Sequence, residues 1–229
     1  MGFHKLQEIA DWVQQKNLPF WKVVMQDDRQ ERNVSEEESF GMMRSMYQAM
    51  REAAQSYSPE LRSASGMAGG DGARLEQFRR QENRLIGDFL TEVMEKAVKM
   101  AESNACMKRI VAAPTAGSCG VIPAVLLTYE KQKETGEERM TEALFVAAGI
   151  GEVIAASASI SGAEGGCQAE IGSASAIWEE TTALTAPETL RLIQGTSTSP
   201  ATGSQVSPSI FFNASAAAWR ISSVLPPSR

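Results

Sequence analysis

Residues 141–158 form an alanine-rich segment of low polarity on every side, and this stretch constrains the fold more than any other part of the chain. A helix without a polar face belongs in an interior, with other elements packed around it. The surrounding sequence supplies those neighbours in helical form. Leu6, Ile9, Ala10 and Val13 predict a first helix, and Ser35 with Glu38 makes a capping box for another. After that box Met42, Met43, Met46, Tyr47, Met50, Ala53 and Tyr57 recur at helical spacing, a methionine stripe better suited to an adaptable core than to a binding surface. Between the two helices, residues 17–33 read as irregular because of Pro19 and the charged Asp27-Asp28-Arg29 run. Phe78, Leu85, Ile86, Phe89, Leu90, Val93, Met94, Ala97, Val98 and Ala101 predict a long helix with one apolar face. Residues 121–131 predict a helix with Pro123 in its first turn, and a polar hairpin around Gly136 precedes the central segment. Alternation at period two is absent, so the expected fold class is all-α.

Composition narrows the function classes. A chain of 229 residues buries one full core, or at most two. The net charge of −6 and the lack of a basic, aromatic-interleaved patch argue against nucleic acid or an anionic membrane as partner. Cys106, Cys119 and Cys167 are an odd, widely spaced set that fits a reducing cytosol rather than a disulfide framework. No signal-peptide core begins the chain, and no apolar run is expected to reach bilayer length, since Glu152 and glycines interrupt the longest weakly polar one, residues 143–160. The expected setting is cytoplasmic, without a membrane.

Three loops rich in glycine and hydroxyl side chains each precede a helical stretch: residues 63–72, 114–120 and 159–172. Such loops are routine tight connections. They are also suited to converge on one small anion, because helix N-termini present free N–H groups and partial positive charge. The third loop places Cys167 among four glycines and three serines between Ser159 and Ser173. A thiolate there is a soft metal ligand, and a lone cysteine is equally at home as a small core residue. Cys119, at a helix start, is a candidate for a lowered thiol pKa, whereas Cys106 reads as structural. His4 is the sole histidine, which disfavours a Ser-His-Asp triad or a histidine-rich zinc site. No phosphate-loop or dinucleotide fingerprint is present.

Taken together, the motifs Val111-Ala112-Ala113-Pro114-Thr115-Ala116-Gly117-Ser118-Cys119-Gly120 and Ser159-Ile160-Ser161-Gly162-Ala163-Glu164-Gly165-Gly166-Cys167-Gln168-Ala169-Glu170 closely resemble those of the iron–sulfur L-serine dehydratases. Residues 63–71 resemble the upstream Ser/Gly loop of that family. The resemblance covers residues 1–176 and is to the alpha chain of the two-subunit form, with no regulatory domain ahead of Met1. It implies a helical catalytic domain and a [4Fe–4S] cluster with one iron open to substrate. It also implies elimination of water from L-serine to give pyruvate and ammonia, within amino-acid degradation and gluconeogenesis. A beta subunit would be the partner, with possible further oligomerisation. Cys167 matches the first cluster ligand. Ser63, Ser65, Gly66, Thr115, Ser118 and Ser161 are candidates for the substrate pocket. Asp71 and Glu164 are candidates for acid/base or loop-ordering roles, between which the sequence does not choose.

The family pattern continues into a Cys-Asp-Pro segment and a further cysteine that complete the cluster, and this chain has neither. Residues 177–229 lack lysine and cysteine and are dense in Ser, Thr and Pro, which suggests disorder and a shift of reading frame after Ala176. The expectation is therefore an incomplete alpha chain, inactive as written. The alternatives are a degenerate, non-catalytic subunit and a related iron–sulfur cysteine desulfidase. Pyridoxal phosphate is not expected, since no lysine lies in a recognisable Schiff-base loop.

Overall fold

A computed structural model describes residues 2–82 and 85–185; the greater part of the 177–229 segment lies outside these residues. The described residues form eight helices and no strand, so the all-α expectation holds. The helices are α1 (Leu6–Lys16), α2 (Phe20–Arg32), α3 (Glu36–Gln55), α4 (Asp71–Arg79), α5 (Asp88–Ala105), α6 (Val121–Lys133), α7 (Gly136–Ser157) and α8 (Gly162–Thr185).

Helix α7 is the centre, as its composition requires. It contacts α1, α2, α3, α6 and α8. Leu144, Phe145, Ala147 and Ile150 are each 1% exposed. They join Ile9, Val23, Met25, Tyr47, Ile122, Leu126 and Ile177 in the main core. At 22 residues α7 is long and apolar enough to cross a bilayer, contrary to the expectation that no run reaches that length. Its neighbours decide its role: 61% of its most apolar window is buried inside the protein, as in a core helix. The methionine stripe is core in part: Met43, Tyr47, Met50 and Ala53 are buried on α3, Met46 and Tyr57 are half-buried, and Met42 is exposed.

Residues 17–33 are not irregular. Asn17 adopts a left-handed conformation (φ 51°) that ends α1, and Pro19 is the N-cap of α2, where its missing N–H costs nothing. The charged run is helical: Asp27 is buried, and Asp28 pairs with Arg32 one turn on. The Ser35–Glu38 capping box forms as expected on α3, the Ser35 amide donating to Glu38 Oε2 at 2.8 Å.

The long apolar-faced helix across residues 78–101 is broken into α4 and α5, which pack against each other. The face expected to be buried is largely outside, with Phe89, Leu90 and Met94 exposed. Glu92 and Glu95 are buried instead, each 5% exposed. The reason is a charge network. Arg79 Nε donates to Glu95 at 2.5 Å and Lys99 Nζ at 2.6 Å, while Lys96 and Lys131 reach Glu92 at 2.7 and 2.8 Å. Buried carboxylates persist only when paired in this way. Burial pushes the Glu92 carboxyl up, but the hydrogen bonds from Lys131 and Lys96 prevail and hold it at about 2.

The compositional change read at Ala176 falls within α8, which continues to Thr185 and buries Ile177 and Thr181.

Candidate functional site

Each of the three glycine- and hydroxyl-rich segments leads into a helix, and the hydroxyls are used first to shape the backbone. In the first, Ser63 Oγ lies 3.1 Å from Ser65 Oγ and accepts from the Ala68 amide at 3.1 Å. Gly66 has φ of +73°, closing a turn in which its N–H donates to the Ser63 carbonyl at 2.8 Å. Ser65 and Gly66 are exposed, and Asp71, at the start of α4, pairs with Arg74 at 2.8 Å.

The N-terminus of α4 already holds an anion from the chain itself. Glu102, 6% exposed on α5, accepts from the Asp71 amide at 2.6 Å, the Gly72 amide at 3.2 Å and the Tyr57 hydroxyl at 2.8 Å. A buried carboxylate satisfies the free N–H groups and complements the helix dipole. Gly72 is needed here, since a Cβ would meet the Lys99 side chain at 2.5 Å.

In the second segment, Thr115 and Ser118 bond reciprocally. Their hydroxyl oxygens are 3.0 Å apart, and the Ser118 amide donates to Thr115 Oγ1 at 3.3 Å. Ser118 is 1% exposed, so its hydroxyl faces inward and orders the turn, whereas Thr115 is half-buried. Asn104 Nδ2, on α5, donates to the Ala116 carbonyl at 2.9 Å. The C-terminal turn of α5 therefore touches both of the first two segments, through Glu102 and Asn104.

Cys119 does not have the lowered pKa expected of a helix start. It is 1% exposed, packed with Ala53 and Met100, and burial pushes its thiol up to about 11. Desolvation outweighs the helix terminus, because an apolar wall penalises the thiolate at close range.

The third segment is more helical than its glycine content suggests. Helix α8 begins at Gly162, within the stretch read as a loop, and bends at Gly166, where φ of 73° is open only to glycine at little cost. Ser161 Oγ accepts from the Ala163 amide at 3.2 Å, capping the helix. Ser159 Oγ donates to Glu164 Oε2 at 2.8 Å. Cys167 follows the bend and is exposed.

The second and third segments meet at a side chain the sequence reading did not select. The Glu170 carboxylate, half-buried on α8, rests against Gly117 and Gly162. A Cβ on Gly117 would overlap Glu170 Oε2, and one on Gly162 would lie 2.7 Å from it. The available signal was weak: Glu170 stands in the Cys167 motif, but nothing in the sequence places it opposite Gly117. Glu102 carried no signal at all, sitting on a helix whose apolar pattern pointed elsewhere.

The candidate residues thus come together in part. Thr115, Ser118 and Ser161 share the neighbourhood of Glu170 through their loops, and the 63–71 loop connects to it through α5. Among the described residues, no three His, Cys, Asp or Glu side chains are grouped as a metal ion would require. Cys106 is half-buried, Cys119 buried and Cys167 exposed, and all three thiols are free.

The sequence profile of the serine dehydratase alpha chain family matches residues 15–191. The chain is 35% identical over 173 residues to a Bacillus subtilis (strain 168) protein named "Probable L-serine dehydratase, alpha chain", covering 76% of this chain and 58% of that one. It is 33% identical over 176 residues to the L-serine dehydratase alpha chain of Peptoniphilus asaccharolyticus, covering 75% and 59%. A shorter stretch of 77 residues is 52% identical to the L-serine dehydratase TdcG of Escherichia coli (strain K12), covering 33% and 17%. The chain spans somewhat under 60% of the length of the two alpha chains it matches. No solved structure matches it.

Proposed function

The chain belongs to the serine dehydratase alpha chain family, and from that membership we propose that it forms the substrate-holding part of an L-serine dehydratase. The reaction is loss of water from L-serine, with the α-proton and the β-hydroxyl departing to leave aminoacrylate. Its tautomer takes up water to give pyruvate and ammonia. A beta subunit is the proposed partner, and the cytoplasm is the proposed setting, which three unpaired thiols suit.

The observation that carries this reading is the meeting of the Thr115–Ser118 turn with the start of α8 around Glu170. Backbone N–H groups and hydroxyls on two facing loops suit the carboxylate of a small amino acid. Thr115, Ser161, Ser63, Ser65 and Gly66 are assigned to that pocket, and Ser118 holds Thr115 in place. Asp71, tied to Arg74, orders its loop. Glu164 stands three residues before Cys167, held by Ser159, and is assigned to proton transfer.

The family resemblance assigns Cys167 to a [4Fe–4S] cluster, whose chemistry when bound is Lewis-acid polarisation of the substrate hydroxyl. The described residues do not fit a complete ligand set, because no three candidate ligands are grouped. That misfit favours one second reading, a non-catalytic subunit that binds the amino acid without turning it over.

A chimera tests both. Residues 15–191 replace the matching part of the Bacillus subtilis alpha chain, the protein is prepared anaerobically with its beta chain, and pyruvate is followed by lactate dehydrogenase coupling. Serine-dependent pyruvate supports the dehydratase. A folded, iron-loaded chimera that binds serine and releases none supports the non-catalytic subunit, and one that does not bind serine refutes both.

A further inference from the structure

We propose that the Glu170 carboxylate receives the α-ammonium group of the substrate and so makes the site selective for amino acids over hydroxy acids; this rests on the serine reading above. Glu170 lies at the junction of two loops that supply donors for a carboxylate. Those donors attract anions of any kind and do not by themselves favour an amino acid. Glu170 is half-buried, yet among the described residues its carboxylate has no hydrogen-bond donor or ion-pair partner. Of the other carboxylates near the loops, buried Glu102 is satisfied by two amides and Tyr57, and exposed Glu164 by Ser159.

A partly desolvated carboxylate without a partner is unfavourable, and a cation delivered by the ligand relieves it. Of the groups on serine, only the ammonium is positive. The glycines show that the place is built for this carboxylate. Side chains at Gly117 and Gly162 would collide with it, and both have conformations that any residue could adopt, so their smallness serves space rather than backbone freedom. Gly117 is exposed, so the carboxylate lies against a segment that solvent reaches. The Glu170 charge also adds, after burial, to the upward shift of the Cys119 thiol.

The test is calorimetric titration of the full chain with L-serine and with L-glycerate, which keeps the hydroxyl and carboxylate but lacks the ammonium. The wild type is expected to prefer L-serine, and Glu170→Gln, nearly the same size, is expected to lose serine affinity by about tenfold or more. Glycerate binding should stay within about twofold or tighten slightly. Gly117→Ala, which crowds the carboxylate, should produce the same selective loss. Unchanged serine affinity in Glu170→Gln overturns the inference and leaves the serine reading standing. Equal weakening of both ligands also overturns it, since that marks a structural role. A folded wild-type chain that binds neither ligand overturns the serine reading, and this inference with it.

Discussion

Replacing Gly120 by alanine pits a local gain against a packing loss. Gly120 precedes α6 with φ −84° and ψ −23°, ordinary right-handed values that suit alanine. Local propensity alone therefore predicts a change within about 1 kcal/mol, of either sign. The packing term has one sign. A Cβ at 120 would lie 2.5 Å from the Ala97 carbonyl oxygen and 3.2 Å from Ala97 Cα and carbonyl carbon. A comfortable carbon–oxygen contact is about 3.3–3.6 Å. The obstacle is the backbone of α5, which cannot rotate away, so α5 and α6 must separate by roughly 1 Å.

Overpacking of this kind costs about 1–3 kcal/mol. For a domain of this size that lowers Tm by roughly 2–4 °C per kcal/mol, so a fall of about 2–12 °C is expected. The assay is thermal and urea unfolding followed by far-UV circular dichroism. Gly117→Ala is the matched control, since its Cβ meets only the end of the flexible Glu170 side chain. It should change stability by about 0.5 kcal/mol or less. If Gly120→Ala is as stable as the wild type or more so, the close approach of α5 and α6 is refuted. If Gly117→Ala is equally damaging, the Glu170 carboxylate is not a yielding partner.

Glu102→Gln should weaken the N-terminus of α4 by about 1–3 kcal/mol, read as faster hydrogen exchange of the Asp71, Gly72 and Ala73 amides, because a charge-assisted cap becomes a neutral one. The two perturbed carboxylates should act in opposite directions with pH. Burial, and then the charge of Asp27, raises Glu152 from 4.5 to about 7, so the folded state holds the extra proton and stability falls as pH rises through that interval; Glu152→Gln should flatten this slope in urea midpoints. Glu92, held at about 2 by its lysines against burial, contributes stability above 4.5 that disappears as pH falls toward 2, and Glu92→Gln should remove that acid-side dependence. Alkylation by iodoacetamide at pH 8, mapped by mass spectrometry, should label exposed Cys167 well before Cys119, whose thiol is both buried and raised to about 11.

The helical class and the central place of α7 were legible because each follows from a one-dimensional pattern that the packing then respects. The Ser35–Glu38 cap was legible for the same reason: its hydrogen bonds run between neighbours in sequence. The pattern misled at α5, where hydrophobicity pointed one way and burial went the other. There Arg79, Lys96, Lys99 and Lys131 come from three helices to neutralise Glu92 and Glu95, and no periodicity within α5 reports on partners from α4 and α6. Residues 17–33 misled differently, because Pro19 and a charged run were read as breakers. A proline at a helix start begins a helix, and a charged run in the helix costs little where Asp28 and Arg32 pair one turn apart.

Within the candidate site, the sequence identified the segments but not what each glycine is for. Gly66 and Gly166 are there for their positive φ. Gly72 and Gly120 admit another helix, one meeting Lys99 and the other Ala97. Gly117 and Gly162 make room for one carboxylate, eight residues beyond the α8 start, a use that exists only once the chain has folded. A reading based on loop composition therefore favours the small and hydroxyl residues and passes over the acid they accommodate. Asp71 and Glu164 stood out because they lie in or beside the loops, yet both carboxylates already have partners in Arg74 and Ser159. Glu102 and Glu170 face the loops from helices. One is satisfied and seals α4, and the other is unsatisfied between two glycines, which is why the structure separates a structural acid from one awaiting a cation.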